Sequence, residues 1–226
     1  MSRKVFTAGE VLAAADVNNF LMDQTVMSFA GTAARGSAIP SPVEGMVSYL
    51  EDINVMSLYD GSAWRTSLSP TGGILQVVSA SKTDTFTMSS NSDALVTGLS
   101  VTITPKSTAN KILVIMDVKT SANQANVSTP FVRIKRNGTN VYVGNAAGTR
   151  ASVTGGPGAS SLLTSVDQVA GIFLDAPASV SALTYTVNLA SSQNGQAVNV
   201  NRSVNDDDNV VQPRTASSIT VMEVAG

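Results

Sequence analysis

The chain lacks cysteine and histidine altogether. Without thiols or imidazoles it has no soft metal ligands, no thiolate nucleophile and no ordinary general base, so zinc, haem and iron–sulfur centres and Ser-His-Asp catalysis have no parts to work with. No metal or cofactor is expected. No disulfide can form, so stability rests on burial and does not depend on the redox compartment. Charge is scarce: Asp, Glu, Lys and Arg make up 13% of the 226 residues, with a net charge of -2 and a pI near 5.0. That leaves no positive field of the kind nucleic-acid binding draws on. No apolar run nears the roughly 18 residues that cross a bilayer. Behind Arg3 and Lys4, Thr7, Gly9 and Glu10 interrupt any signal-peptide core, so neither membrane insertion nor export by that route is expected. Aromatics stand at 5%, too few for the long ring-lined groove of a polysaccharide-cleaving spike. What is present is a 43% hydrophobic share, which excludes a disordered chain. The length fits one β domain with a small extra module.

The first thirty residues carry the helical signals. Thr7 with Glu10 fits a capping box and Asp16 offers a second N-cap, which predicts one or two short helices bearing Val11, Leu12, Val17, Phe20 and Leu21. Helices this short are marginal alone, so their apolar stripe needs a partner surface, either the chain's own β domain or another subunit. From residue 26 to 66 the pattern turns to short strands. A strand at 26–29 precedes one helical turn at 32–35, and Pro40 and Pro42 fix an extended connector. Residues 46–50, 55–59 and 63–65 then read as a three-stranded meander with an Asp60-Gly61 turn and the rings of Tyr49, Tyr59 and Trp64. Residues 67–73 lose all periodicity and mark a linker, leaving 1–66 and 74–226 as the two domains.

Past the linker come about ten short β-rich segments separated by Ser, Thr, Asn, Gly and Pro clusters, among them 162–163. The expected fold class is mainly β: a jelly-roll-like antiparallel β-sandwich preceded by a small N-terminal helical and β-meander anchoring module. Lys111 to Met116 is apolar on both faces and should lie between two layers, whereas Thr184 to Leu189 alternates and should expose one face. Asn137-Gly138 predicts the best hairpin, with Arg133, Lys135 and Arg136 mostly facing water.

Chemistry-bearing motifs are few. Asp206-Asp207-Asp208 is the densest set of oxygen ligands, yet it lacks the alternating ligand order, central glycine and distal glutamate of a calcium loop and reads as a solvated loop. Gly155-Gly156-Pro157-Gly158 has no following Lys or helix start for phosphate binding. Asp84, Asp93, Asp117, Asp167, Asp175 and Glu223 are scattered, and only the fold could bring two together as a glycosidase pair. No catalytic residue is assigned, and the chain is not expected to be an enzyme.

The run from Phe6 to Met27, with Gly9-Glu10-Val11-Leu12 and Asp16-Val17-Asn18-Asn19-Phe20-Leu21, resembles the N-terminal segment of tailed-bacteriophage structural proteins, particularly minor tail and fibre proteins. Residues 35–46, Tyr49-Leu50-Glu51-Asp52 and Tyr59-Asp60-Gly61-Ser62-Ala63-Trp64 extend that likeness over 5–66. The remainder is similar to the β-rich distal domains of phage fibre and head-decoration proteins through Ile74 to Val78, 98–105 and 217–226. The resemblance implies a virion component assembled in the bacterial cytoplasm, a homotrimer docked on other tail or capsid proteins by its N-terminal part, with Val11, Leu12, Val17, Phe20 and Leu21 as docking residues. Two roles are expected from it. One is a short tail fibre or knob contacting the host surface, with a cell-surface glycan as a further partner, through loops 122–130, 146–161 or 193–209. The other is a capsid decoration or head-fibre protein that stabilises the shell or projects from it.

Overall fold

A computed structural model describes residues 8–11, 13–14, 26–65, 72–123, 128–156 and 163–226. The chain is mainly β and divides into two compact units, Met1–Pro70 and Thr71–Gly226.

In the first unit β1 (Met27–Phe29) precedes α1 (Thr32–Ala38), and β2 (Val47–Leu50), β3 (Val55–Tyr59) and β4 (Trp64–Arg65) follow. β2, β3 and β4 form the expected antiparallel meander. β1 adds a fourth strand, parallel to β2, with Met27 opposite Ser48. A parallel pair cannot be closed by a hairpin, and α1 with its Pro-containing exit provides the crossover. α1 is longer than the single turn expected, because nothing before Pro40 forbids the helix and the Ile39 N–H closes on the Arg35 carbonyl at 2.8 Å.

The second unit contains β5 (Ile74–Lys82), β6 (Phe86–Met88), β7 (Ala94–Ile103), β8 (Lys111–Ala122), β9 (Pro130–Arg136), β10 (Thr139–Val141), β11 (Asp167–Asp175), β12 (Leu183–Ser191), β13 (Val198–Val200) and β14 (Ser217–Val224). Their antiparallel pairing is nested. β9 pairs with β10, β8 with β11, β7 with β12, β6 with β13 and β5 with β14. Further pairings join β12 to β9 and both β14 and β13 to β8. One sheet therefore runs β10-β9-β12-β7. In the other, β14 lies between β5 and β8, β11 flanks β8 on its far side, and β13 and β6 extend the sheet at one end. The innermost hairpin turns at Asn137-Gly138, whose φ angles of 48° and 83° are those a type I′ turn demands.

Alternation builds the core. Ile112, Val114, Met116 and Val118 of β8, Ile219 and Val221 of β14, Val132 and Ile134 of β9, and Tyr185, Val187 and Leu189 of β12 are all buried, and residues from both sheets belong to one hydrophobic cluster. Three expectations are corrected here. Leu113 and Ile115, the outward row of β8, stay partly exposed, because among the described residues the core cluster takes the alternate row, Ile112, Val114, Met116 and Val118. β12 does not expose a face along its C-terminal half: it sits between β7 and β9, and Val187 to Ser191 are consecutively buried. Leu163 lies in a turn, not a strand, and Leu162 falls outside the described residues.

Candidate functional site

Of the docking residues inferred from the N-terminal run, Val11 is 86% exposed, while Leu12, Val17, Phe20 and Leu21 lie outside the described residues. The rest of the first unit is organised around Arg35. α1 carries its guanidinium to 4.2 Å above the Trp64 ring, Nη1 donates to the buried Ser48 hydroxyl at 3.3 Å, and Trp64 meets Tyr59 at 5.5 Å between centroids. Burial lowers the Arg35 pKa, and the ring face offsets part of what the charge loses in leaving water. The β3–β4 turn is fixed by Asp60. Its Oδ1 accepts from the Ala63 and Ser62 N–H groups at 2.7 and 3.0 Å, and Oδ2 accepts from Arg65 Nε at 2.5 Å. The Ala63 and Ser62 amides, then Arg65, hold this carboxyl well below the usual carboxylate range.

In the second unit the basic residues of β9 do not mostly face water. Arg133 and Lys135 both grip Asp93, with side chains only 13% and 19% exposed. Arg136 Nη1 donates to Asp175 at 2.5 Å, and the buried Tyr185 hydroxyl donates to the same Oδ2 at 2.6 Å. Burial, followed by Asp175, pushes the Tyr185 phenol above its ordinary pKa, so it stays a donor through the neutral range. Beside this cluster the half-exposed Tyr142 stacks on Phe173 of β11. Sequence reasoning missed this grouping, because Arg136 and Tyr185 are brought opposite each other by the β9–β12 pairing while Asp175 reaches both from β11 in the other sheet.

The scattered acids are drawn to different partners. Asp84 accepts from Lys82, Asp93 and Asp175 bind the cations above, and Asp117 pairs with Lys119. Glu223 accepts hydrogen bonds from Gln76 Nε2, the Lys106 N–H and Asn110 Nδ2. The 206–209 loop is exposed, with Asp206 held by Arg202 at 3.2 Å and Arg214 at 2.8 Å and Asp207 bonded to Gln212. Among the described residues no group of three acidic side chains gathers as a metal site. Gly155 and Gly156 have a packing reason to be glycine. A Cβ on Gly155 would meet Val169 Cγ1 at 2.8 Å, and one on Gly156 the Pro130 carbonyl at 2.9 Å. Pro157 and Gly158 lie outside the described residues, as do 124–127 and 159–161 of the candidate contact loops.

Compared with known proteins, the chain matches no family model and no curated sequence.

Proposed function

We propose that the chain is a non-enzymatic structural protein of a tailed-phage virion, a short trimeric tail fibre or knob. Its first unit docks on the particle, and its second is a jelly-roll sandwich head for host-surface attachment. The observation that carries this reading is the nested pairing of β5 to β14, first strand with last and inward to the β9–β10 hairpin. A long antiparallel ribbon paired in that way and rolled on itself yields the two four-strand rows β5-β14-β8-β11 and β7-β12-β9-β10, the connectivity of two Greek keys. The single cluster drawing on both rows is the core such a roll encloses. Ion pairs and close glycine packing stiffen it, and a rigid head on several linked copies converts weak host contacts into avid attachment. The N-terminal resemblance to minor tail and fibre proteins supplies the virion context.

Electron microscopy of the whole particle with an antibody against the chain tests the assignment, a tail-tip position being expected. Binding of the full chain to host cells or surface glycans accompanies that position. Saturating binding to capsids with a raised capsid melting temperature would instead favour the decoration role, and release of reducing sugars would overturn the non-enzymatic reading.

A further inference from the structure

Arg35 is a buried cation, 6% exposed, and Ser48 and Ser57, paired across β2 and β3, are 0% and 1% exposed. Direct cross-strand partners on one sheet face hold their Cβ atoms about 4.5–5.5 Å apart. Arg35 reaches this pair through Nη1, which donates to Ser48 Oγ at 3.3 Å, but its Nε finds no acceptor. Ser57 Oγ has no partner either, and the Ser48 hydroxyl, occupied as an acceptor, still holds a proton to donate. Among the described residues no carboxylate pairs with Arg35: Asp60 is held by the Ser62 and Ala63 amides and by Arg65, and Glu51 accepts from Ser28. Burial is the one influence on the Arg35 pKa, whereas a carboxylate beside it would raise it. Buried donors without acceptors, around a charge without a counter-charge, are costly, and the Trp64 face offsets only part of that cost.

We infer that Arg35 Nε, Ser57 Oγ and Ser48 Oγ bind a small monovalent anion, a halide such as chloride, between α1 and the β2–β3 pair. The donor set selects an anion over a water molecule. A water would leave the positive charge uncompensated and bring further donors to a place short of acceptors. Burial selects a small ion over a carboxylate carried by another protein. With Arg35, Ser48 and Ser57 almost wholly covered, a partner's side chain has no surface on which to approach. Occupancy couples the stability of the first unit to halide concentration, because the ion binds the folded arrangement and not the unfolded chain. Trp64, the sole tryptophan, lies 4.2 Å from the guanidinium and reports the site.

The test is urea unfolding of the full chain, followed by Trp64 emission, in sodium chloride against sodium gluconate at equal ionic strength. Screening is then the same in both, and only chloride is small enough to enter. At a chloride concentration about ten times the dissociation constant, the folded-to-unfolded ratio should rise about 11-fold along a saturating curve. Ser57→Ala leaves Arg35 and Trp64 in place and removes one ligand. In gluconate it should be at least as stable as the wild type, because it deletes an orphaned hydroxyl, whereas in chloride it should lose most of the gain. Arg35→Gln should abolish the chloride effect. Bromide, which quenches indole emission, should quench wild-type Trp64 along a saturating curve, and crystals grown in sodium bromide should show an anomalous peak against Arg35 Nε. Equal stability of the wild type in chloride and gluconate would overturn the inference, and so would a chloride effect that Ser57→Ala leaves untouched.

Discussion

Tyr142 lays its ring flat on that of Phe173, with centroids 4.6 Å apart and planes within 1° of parallel. The stack joins a residue just past β10 in one sheet to β11 in the other. Tyr142 holds a φ of 54°, a left-handed backbone that bulky residues seldom take, and the ring contact offsets that strain.

The two contributions separate by substitution. Tyr142→Ala forfeits the stack and keeps the unfavourable backbone, whereas Tyr142→Gly forfeits the stack and relieves it. Glycine should therefore be the milder change by about 1 kcal/mol. A double-mutant cycle with Phe173→Leu, read by urea unfolding, should return a coupling of roughly 0.5–1.5 kcal/mol. Zero coupling would show that the rings merely lie near each other.

Glu223 predicts an acid limit on stability. Burial opposes its charge, yet Asn110, the Lys106 amide and Gln76 all donate to it, and together they hold its pKa below the usual glutamate value. A pKa depressed on folding gives stability that is full above the unfolded value of about 4.3 and drains away as pH falls through the folded value. Thermal melts of the wild type should fall steeply below about pH 4. Glu223→Gln should flatten that fall while lowering stability at pH 7. Glu223→Leu, which strips the Lys106 amide and Asn110 of this acceptor while Gln76 keeps its bond to the Thr104 carbonyl, should cost on the order of 3 kcal/mol. A Gln variant with an undiminished acid slope would move the effect to other carboxylates.

Much of this architecture was legible in the sequence. The Asn137-Gly138 turn followed from local chemistry, and so did the β2–β4 meander. The nested pairing was not, because which strands meet is decided by contacts over a hundred residues apart, as when Ser79 faces Thr220. Asp93 likewise lies forty residues from Arg133, and no spacing rule links them. Leu113 and Ile115 read as a second covered surface of β8, yet they are only partly buried, because an apolar residue type does not by itself say whether a second layer packs on it.

Arg35 makes the first unit testable by fluorescence, since Trp64 is the sole tryptophan. Arg35→Ala removes the guanidinium from the ring and its hydrogen bond to Ser48. It should lower the stability reported by Trp64 emission by roughly 1–2 kcal/mol and shift the emission itself. Arg35→Lys should recover only part, because an ammonium cannot lie flat on the indole while reaching Ser48. Full recovery by Lys would reduce the interaction to charge alone.

Deleting residues 217–226 removes β14 from between β5 and β8. Ile219 and Val221 leave the core, and the Lys106 amide, Asn110 and Gln76 lose the Glu223 carboxylate as an acceptor. Two ladder edges, one on β5 and one on β8, are opened at once to pairing with other chains. No neighbouring strand can slide into the gap, because β8 is held by β11 on its other side with Ile115 opposite Ile172, and shifting the register by one residue would turn the core row outward. The shortened chain should therefore be recovered in the insoluble fraction. The milder Val221→Ala should stay soluble but lose on the order of 1–3 kcal/mol in urea unfolding. A soluble 1–216 chain with the wild-type circular dichroism spectrum would contradict the central placement of β14.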